Sequence, residues 1–417
     1  MFVQRLLTNK LERLAKNFKA VLIVGARQVG KSTLLDHCFP DLKHITFDAL
    51  SDDLGAREDP IRFLNNFQPP IILDEIQYCP ELLSSLKRYV DQSEQKGQYL
   101  LTGSQNLSVL KHTAESMAGR VAIMQLDALT MDEIAQTPQN MLVNYLNAPH
   151  QLINNFSGFL PLNHTLYDMI WRGGMPGILP LDNDSVTDYF ASYVKTYIER
   201  DVRLLENIQN ITDFERFVRF SAALTTQEVN YTHLGREIGI ARNTATHWLD
   251  TLKHTYQWHE IMPYHGNAIK RIAKKSKGYF HDTGIACYLQ RISSSDALAA
   301  NPMLGALFEN LIVMNLLKLA NTISTPPYAY HWRTSAGAEV DLIFERDAKL
   351  YPIEIKCKGQ LTKHDARGLK AFYASYPKHQ IMPGLIIYAG NECYQLDDLV
   401  TAVPWNAVFK EYTPVVA

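Results

Sequence analysis

The sequence predicts a multidomain α/β protein: a parallel-sheet phosphate-loop domain, a helical and winged-helix segment, and a second α/β domain. Three observations predict it. Gly25-Ala-Arg-Gln-Val-Gly-Lys-Ser32 fills every fixed position of G-x-x-x-x-G-K-[ST], between the apolar run Ala20–Val24 and a helix entered at Thr33. Pro69-Pro-Ile-Ile-Leu-Asp-Glu75 runs a short apolar strand into two acids. Ala338–Glu345 and Leu350–Cys357 each alternate with period two around a short polar link, the pattern of a β-hairpin. The expected divisions are residues 1–135, 136–215, 216–285 and 300–417.

Composition bounds what the chain can do. Its 417 residues are long for one core, so two or three domains are expected. Net charge is −2, which confines any nucleic-acid contact to a local patch. The five cysteines are scattered and form no C-x-x-C pair, which argues against a zinc site or disulfide framework and for a reducing cytoplasm. No apolar run reaches membrane-spanning length. Arg5, Lys10, Glu12, Arg13 and Lys16 alternate with apolar residues, reading as a surface helix rather than a signal peptide.

The phosphate loop carries the sharpest chemistry. Gly25, Ala26, Arg27, Gln28, Val29, Gly30, Lys31, Ser32 and Thr33 form the expected ATP cradle. Its glycines let the backbone turn tightly, and the helix N-terminus favours an anion. Lys31 would reach the β- and γ-phosphates, and Ser32 would ligate Mg²⁺ with Asp74. Glu75 would orient or activate the attacking water. The next strand, Gln98–Gln105, ends in polar groups, with Ser104 the first candidate for a γ-phosphate contact and Thr102 the second. Arg120 is either an arginine finger, in cis or on a neighbouring subunit, or a salt-bridged surface residue.

These stretches together resemble a family of prokaryotic AAA-type ATPases. The matching segments are the loop itself, Leu-Asp-Glu-Ile-Gln ending at Gln77, Leu-Leu-Thr-Gly-Ser-Gln ending at Gln105, and Ala-Gly-Arg-Val ending at Val121. Gly-Gly-Met-Pro ending at Pro176 and Tyr-Ile-Glu-Arg-Asp ending at Asp201 also fit. The resemblance implies ATP hydrolysis coupled to a conformational change, and a C-terminal domain of unknown function.

From Leu126 to about Asn210 the strand pattern is lost. Trp171-Arg-Gly-Gly-Met-Pro-Gly177 is a turn-rich break, followed by a helix from Ser185 to Glu206. Arg200 on it is either a nucleotide contact or, more simply, paired with an acid. Residues 232–252 read as helix, glycine turn, helix, with Asn243 as a cap. Arg242, Asn243, Thr244 and His247 would face a DNA groove, unless the unit is only a packing module. Lys270–Lys277 holds five cations, either facing phosphates or guarding a strand edge.

In the C-terminal third, strand parity places Glu339 and Asp341 on one face of the first hairpin strand and Glu354 and Lys356 on one face of the second. Asp341 and Glu354 would hold one or two Mg²⁺ ions, Lys356 would serve the attacking water, and Glu309 would complete the shell from the helix beginning at Gly305. Helix-Glu, Asp and Glu-x-Lys resemble the PD-(D/E)XK nuclease superfamily, which implies a restriction-endonuclease-like fold. The competing reading is an acid–lysine network in a fold kept for binding. The expected function is an ATP-binding, ATP-hydrolysing protein coupled to DNA processing. The alternative is a nucleotide-driven switch or scaffold that cuts nothing. ATP and Mg²⁺ are the expected cofactors, and DNA and a homo-oligomer the expected partners, in the cytoplasm and away from membranes.

Overall fold

The computed structural model describes residues 2–48, 51–52, 54–104, 119–137, 140–197, 208, 210–267 and 275–410. The N-terminal domain is a parallel sheet of β1 (Ala20–Val24), β2 (Lys43–Thr46), β3 (Ile71–Asp74), β4 (Tyr99–Gly103) and β5 (Val121–Gln125), in the order β2-β3-β4-β1-β5. Strands β1, β3 and β4 are covered on both faces, which is why their sequences are continuously apolar. The edge strands alternate instead, leaving Ile123 of β5 half-exposed. Register sets Val24 beside Gly103 and Gln125, and Thr46 beside Asp74. The carboxyl ends of the strands therefore share one rim, with the loop after β1 on it between β4 and β5, where open α/β sheets bind ligands.

The following segment contains helices Leu166–Arg172 and Asn183–Thr196. The second is capped by Asp182, whose side chain accepts from Ser185 N at 2.9 Å. Residues 198–207, including Arg200, lie outside the described residues. Contrary to expectation the segment does contain a strand, β6 (Phe156–Phe159), which pairs with β16 (Ala407–Phe409) at the far end of the chain.

Helices Ile211–Ala223, Tyr231–Ile238 and Arg242–His254 pack around Trp248, whose indole meets Phe214 and Phe217 edge-on. Gly239, at φ 84°, closes the middle helix and makes the turn. The third helix begins at Ala241 without a side-chain cap, so Asn243 lies in its first turn and is not the cap expected. Strands β7 (Trp258–Pro263) and β8 (Lys277–Phe280) follow as an antiparallel pair, and Glu228 bridges to Lys277.

The C-terminal strands are β9 (Tyr328–Arg333), β10 (Glu339–Arg346), β11 (Lys349–Lys356), β12 (Gln380–Ile381), β13 (Gly384–Tyr388), β14 (Tyr394–Asp397) and β15 (Val400–Pro404). Because β7 pairs with β9, they continue one sheet, β14-β15-β13-β11-β10-β9-β7-β8, with β12 beside β11. Residues 216–285 and 300–417 thus contribute strands to a common sheet. The expected hairpin is β10–β11, turned at Asp347 and Ala348, both at positive φ as a type I′ turn requires. One face packs Leu342, Phe344 and Ile353 in a core with Phe308 and Ile312 of helix Leu304–Thr322. The other packs Val340, Ile343 and Ile386 with Leu369 and Phe372 of helix Arg367–Ser375.

Candidate functional site: a phosphate loop facing a two-walled cavity

The loop between β1 and helix Lys31–Cys38 turns at Gly25 (φ 150°), Gln28 (φ 61°) and Gly30 (φ 93°). A Cβ on Gly25 would stand 2.0 Å from the Leu126 carbonyl oxygen, so only glycine fits there. Lys31 is buried, its ammonium donating to the carbonyls of Gly25 at 3.0 Å and Ala26 at 2.9 Å. Ser32 Oγ donates to both carboxylate oxygens of Asp74 at 2.9 Å. That hydroxyl–carboxylate pair is the hard oxygen donor set a magnesium ion takes, and the residues fit the expected cation.

Asp74 also accepts from Thr102 Oγ1, which in turn accepts from Glu75 N at 2.9 Å. Glu75 sits in the left-handed region, φ 57° and ψ 46°, an uncommon conformation for a side-chain-bearing residue at the end of a strand. Its carboxylate accepts from Gln77 Nε2, and the same amide donates to Ser104 Oγ at 3.0 Å. Ser104 is therefore turned to Gln77, and neither it nor Thr102 lines the cavity over the loop. Thr102 thus holds Asp74 and the Glu75 backbone, and Ser104 holds Gln77.

That cavity measures about 630 Å³. One wall is Gln28, Val29, Gly30, Lys31, Ser32 and Thr33, with Glu75 beside them. The opposite wall comes from the next segment: Pro161, His164, Pro176, Gly177 and Leu179. Within the loop, Gly25 and Ala26 are the carbonyl acceptors for Lys31, and Arg27 reaches the Tyr78 hydroxyl. Burial pushes the His164 imidazole below its ordinary value, assisted by Arg172, which favours a neutral ring at the cavity wall.

Arg120 is salt-bridged, one of the roles expected for it. It precedes Val121, which pairs with Ala20 at the amino-terminal end of β1, the rim opposite the loop. There its Nε lies 2.6 Å from Asp91 Oδ1.

The C-terminal acids are each paired with a lysine. Lys277 of β8 is buried, and its ammonium lies 2.7 Å from Glu309 and 3.0 Å from Asp341. Tyr279 OH donates to Glu309 at 2.9 Å. A β-bulge between Val340 and Ile343 breaks the simple strand parity. It leaves Asp341 Oδ2 accepting from Ile355 N at 2.9 Å, in place of a ladder carbonyl. Glu354 pairs with Lys356 at 2.5 Å, and its second oxygen is buried without a hydrogen-bond partner. Lys277, expected in an exposed basic run, is instead the internal counterion of Glu309 and Asp341.

Burial and then the Asp341 charge push the Glu309 carboxyl up to about 7. Burial, followed by Asp341, raises Glu354 well above the ordinary carboxylate range. Burial alone would lower Lys277, but Asp341, Tyr279 and Glu309 together hold it well above its usual value. Among the described residues no group of three acidic, histidine or cysteine side chains could hold a metal ion. The described side chains form an acid–lysine network around Asp341 and Glu354, the two positions expected to hold Mg²⁺.

Comparison with known proteins identifies the first domain. Residues 17–135 match the family model described as an AAA domain. This segment is an AAA-type P-loop ATPase domain. Residues 163–296 and 304–408 match two models described as domains of unknown function, DUF8612 and DUF4143. The uncharacterized protein Rv2008c of Mycobacterium tuberculosis is 28% identical over 402 residues, covering 96% of this chain and 83% of the relative. The uncharacterized protein Mb2031c of Mycobacterium bovis matches to the same extent. Among solved structures, the Walker-type ATPase PABY2304 of Pyrococcus abyssi covers 70% of this chain and 96% of its own, with 15% identity and a TM-score of 0.43. A RuvB variant of Thermotoga maritima covers 66% and 96%, with 14% identity and a TM-score of 0.32.

Sequence reasoning missed two residues of the ATPase domain, Arg5 and Gln77. Arg5 is buried, donating to Val29 O at 2.8 Å, Asp127 O at 2.6 Å and Glu133 Oε1 at 3.1 Å. It ties the phosphate loop to the segment after β5. The charge alternation that suggested a surface helix concealed it, because Arg5 precedes helix Thr8–Asn17 and turns inward. Gln77 was also missed as the link between Glu75 and Ser104. Arg5→Met is expected to raise the KM for ATP about tenfold, because a loosened loop binds phosphate less well. Steady-state kinetics would check this, and an unchanged KM would separate Arg5 from the loop's function.

Proposed function

We propose that the chain is an ATP-binding and ATP-hydrolysing switch whose C-terminal domain binds a partner and cuts nothing. The carrying observation is the cavity of about 630 Å³ between the ATPase domain and residues 161–180, with Lys31, Ser32 and Glu75 on one wall. Nucleotide there would contact both walls, so its hydrolysis would alter how they close.

Lys31, released from the carbonyls of Gly25 and Ala26, would hold the phosphate oxygens. Ser32 and Asp74 would hold Mg²⁺, which when bound offsets the charge of the phosphates. Glu75, fixed by Gln77 and the Thr102 hydroxyl on its backbone, would orient the attacking water.

Helix Leu304–Thr322 supports a route outward. Its Asn315 Oδ1 accepts from Met131 N at 2.9 Å, and Lys10 Nζ donates to Asn321 O at 2.6 Å. The same helix carries Glu309 into the acid–lysine network. Arg242, Asn243 and His247 are exposed on the last helix of a winged-helix-like unit, and they form the surface on which DNA contact would be sought. Arg120 would reach a nucleotide only across an interface between copies of the chain.

The test is on the second wall. Leu179→Glu is expected to raise the KM for ATP at least about tenfold with kcat little changed, since an acid there repels the nucleotide. A KM equal to wild type would remove the segment from the site.

A further inference from the structure

A second cavity, of about 320 Å³, opens beside helix Asn183–Thr196. Trp171, Phe190 and Tyr288 give it an aromatic lining, and Arg219 and Arg291 supply its charge. The lining is built, not incidental. Trp171 Nε1 donates to Ile292 O at 2.9 Å, which fixes the indole. The Phe190 and Tyr288 rings lie 6.4 Å apart between centroids. Gly284 makes room for them, because a Cβ there would stand 2.4 Å from the Phe190 ring.

The charge is one-sided. Among the described residues no acidic side chain lines the cavity, and neither arginine forms an ion pair with an acid. Arg291 also holds a costly conformation. It lies at φ 59° just past helix Thr283–Leu289, where Ile292 N donates to Cys287 O at 3.0 Å. Glycine is the usual residue in that closing position. The left-handed region is unfavourable for residues that carry a side chain. A helix C-terminus favours a cation, but that does not account for Arg219 on another helix facing the same space.

We propose that this cavity binds a small organic anion with a flat apolar body, of the aromatic carboxylate class. The rings would take the body, and the two guanidiniums the carboxylate. A second part of the proposal rests on the function given above: occupancy shifts ATP affinity. Trp171 lines this cavity while Pro176, Gly177 and Leu179, a few residues on, line the nucleotide cavity. Tyr189, beside Phe190, packs on Gly177, its ring 2.8 Å from where a Cβ would stand.

The test is calorimetric titration of the full chain with 2-naphthoate and, separately, with the neutral 2-naphthamide. The acid is expected to bind at least about tenfold more tightly than the amide, because only it pairs with the arginines. The Arg219→Ala, Arg291→Ala double variant should lose about tenfold in naphthoate affinity, and the corresponding double lysine variant should recover most of it. Lys31→Ala should leave naphthoate binding unchanged, which places the probe outside the nucleotide cavity. Equal binding of acid and amide, or binding unaffected by the double alanine variant, overturns the site. Naphthoate binding with no shift in ATP affinity overturns the coupling and leaves the site standing.

Discussion

Lys277→Met is expected to destabilise the protein by about 3–5 kcal/mol, because it strips the counterion from buried carboxylates. The ammonium lies 2.7 Å from Glu309 and 3.0 Å from Asp341, and all three groups are largely buried. A methionine of similar length fills the space but leaves the acids facing each other. They can then escape charge only by taking up protons, which gives the effect a pH signature.

In the wild type Glu309 stands at about 7 against its ordinary 4.5. A carboxyl raised on folding stabilises fully below the unfolded value, and that contribution is lost as pH rises through the folded value. Lys277, itself raised, stabilises across the neutral range and loses that contribution only as pH climbs through its own elevated value. Removing Lys277 removes the part that opposes the carboxylates. The variant should therefore lose stability between pH 5 and pH 8 more steeply than wild type, with the estimate resting on about 1.4 kcal/mol for each tenfold change. Urea denaturation at those two pH values measures both terms. A variant as stable as wild type at pH 8 would show that Lys277 is not the counterion.

Glu75→Gln is expected to lower ATP turnover by about 10²–10⁴-fold, the usual contribution of a positioned general base. Nucleotide affinity should change little, because Gln77 and Thr102 still hold the residue's backbone and amide in place. Lys31→Ala should fail differently, losing binding as well, since its ammonium is the only lysine in the cavity wall among the described residues. Equilibrium binding of a fluorescent ATP analogue beside steady-state turnover separates the two. Equal loss of binding in both variants would assign Glu75 to the binding surface and not to the water.

The parts legible in the sequence were local. The phosphate loop has fixed spacing, and β1 and β3 advertise themselves as unbroken apolar runs because both faces are buried. The β10–β11 hairpin was legible from alternation and a short polar link. What escaped depends on contacts between distant segments. Lys277 belongs to a run of cations, and only the pairing of β7 with β9 carries its side chain among the acids. Parity placed Asp341 correctly on a strand, but the bulge re-aims it, and a bulge is set by register rather than by alternation. Arg5 lies 24 residues from its acceptor Val29 and 128 from Glu133, beyond the reach of any local pattern. The wall formed by residues 161–180 carries no fixed-spacing motif for nucleotide contact, only prolines, Asn163, His164, Gly177 and Leu179 brought to the same cavity as the loop.

The most direct measurement is one incubation of the purified chain with ATP, Mg²⁺ and a panel of linear, branched and single-stranded DNA, followed for ADP release and strand scission together. A hydrolysing switch predicts ADP release that disappears in Lys31→Ala, with every DNA strand left whole. Scission that disappears in Asp341→Ala, or the absence of ADP release from wild type, would contradict it.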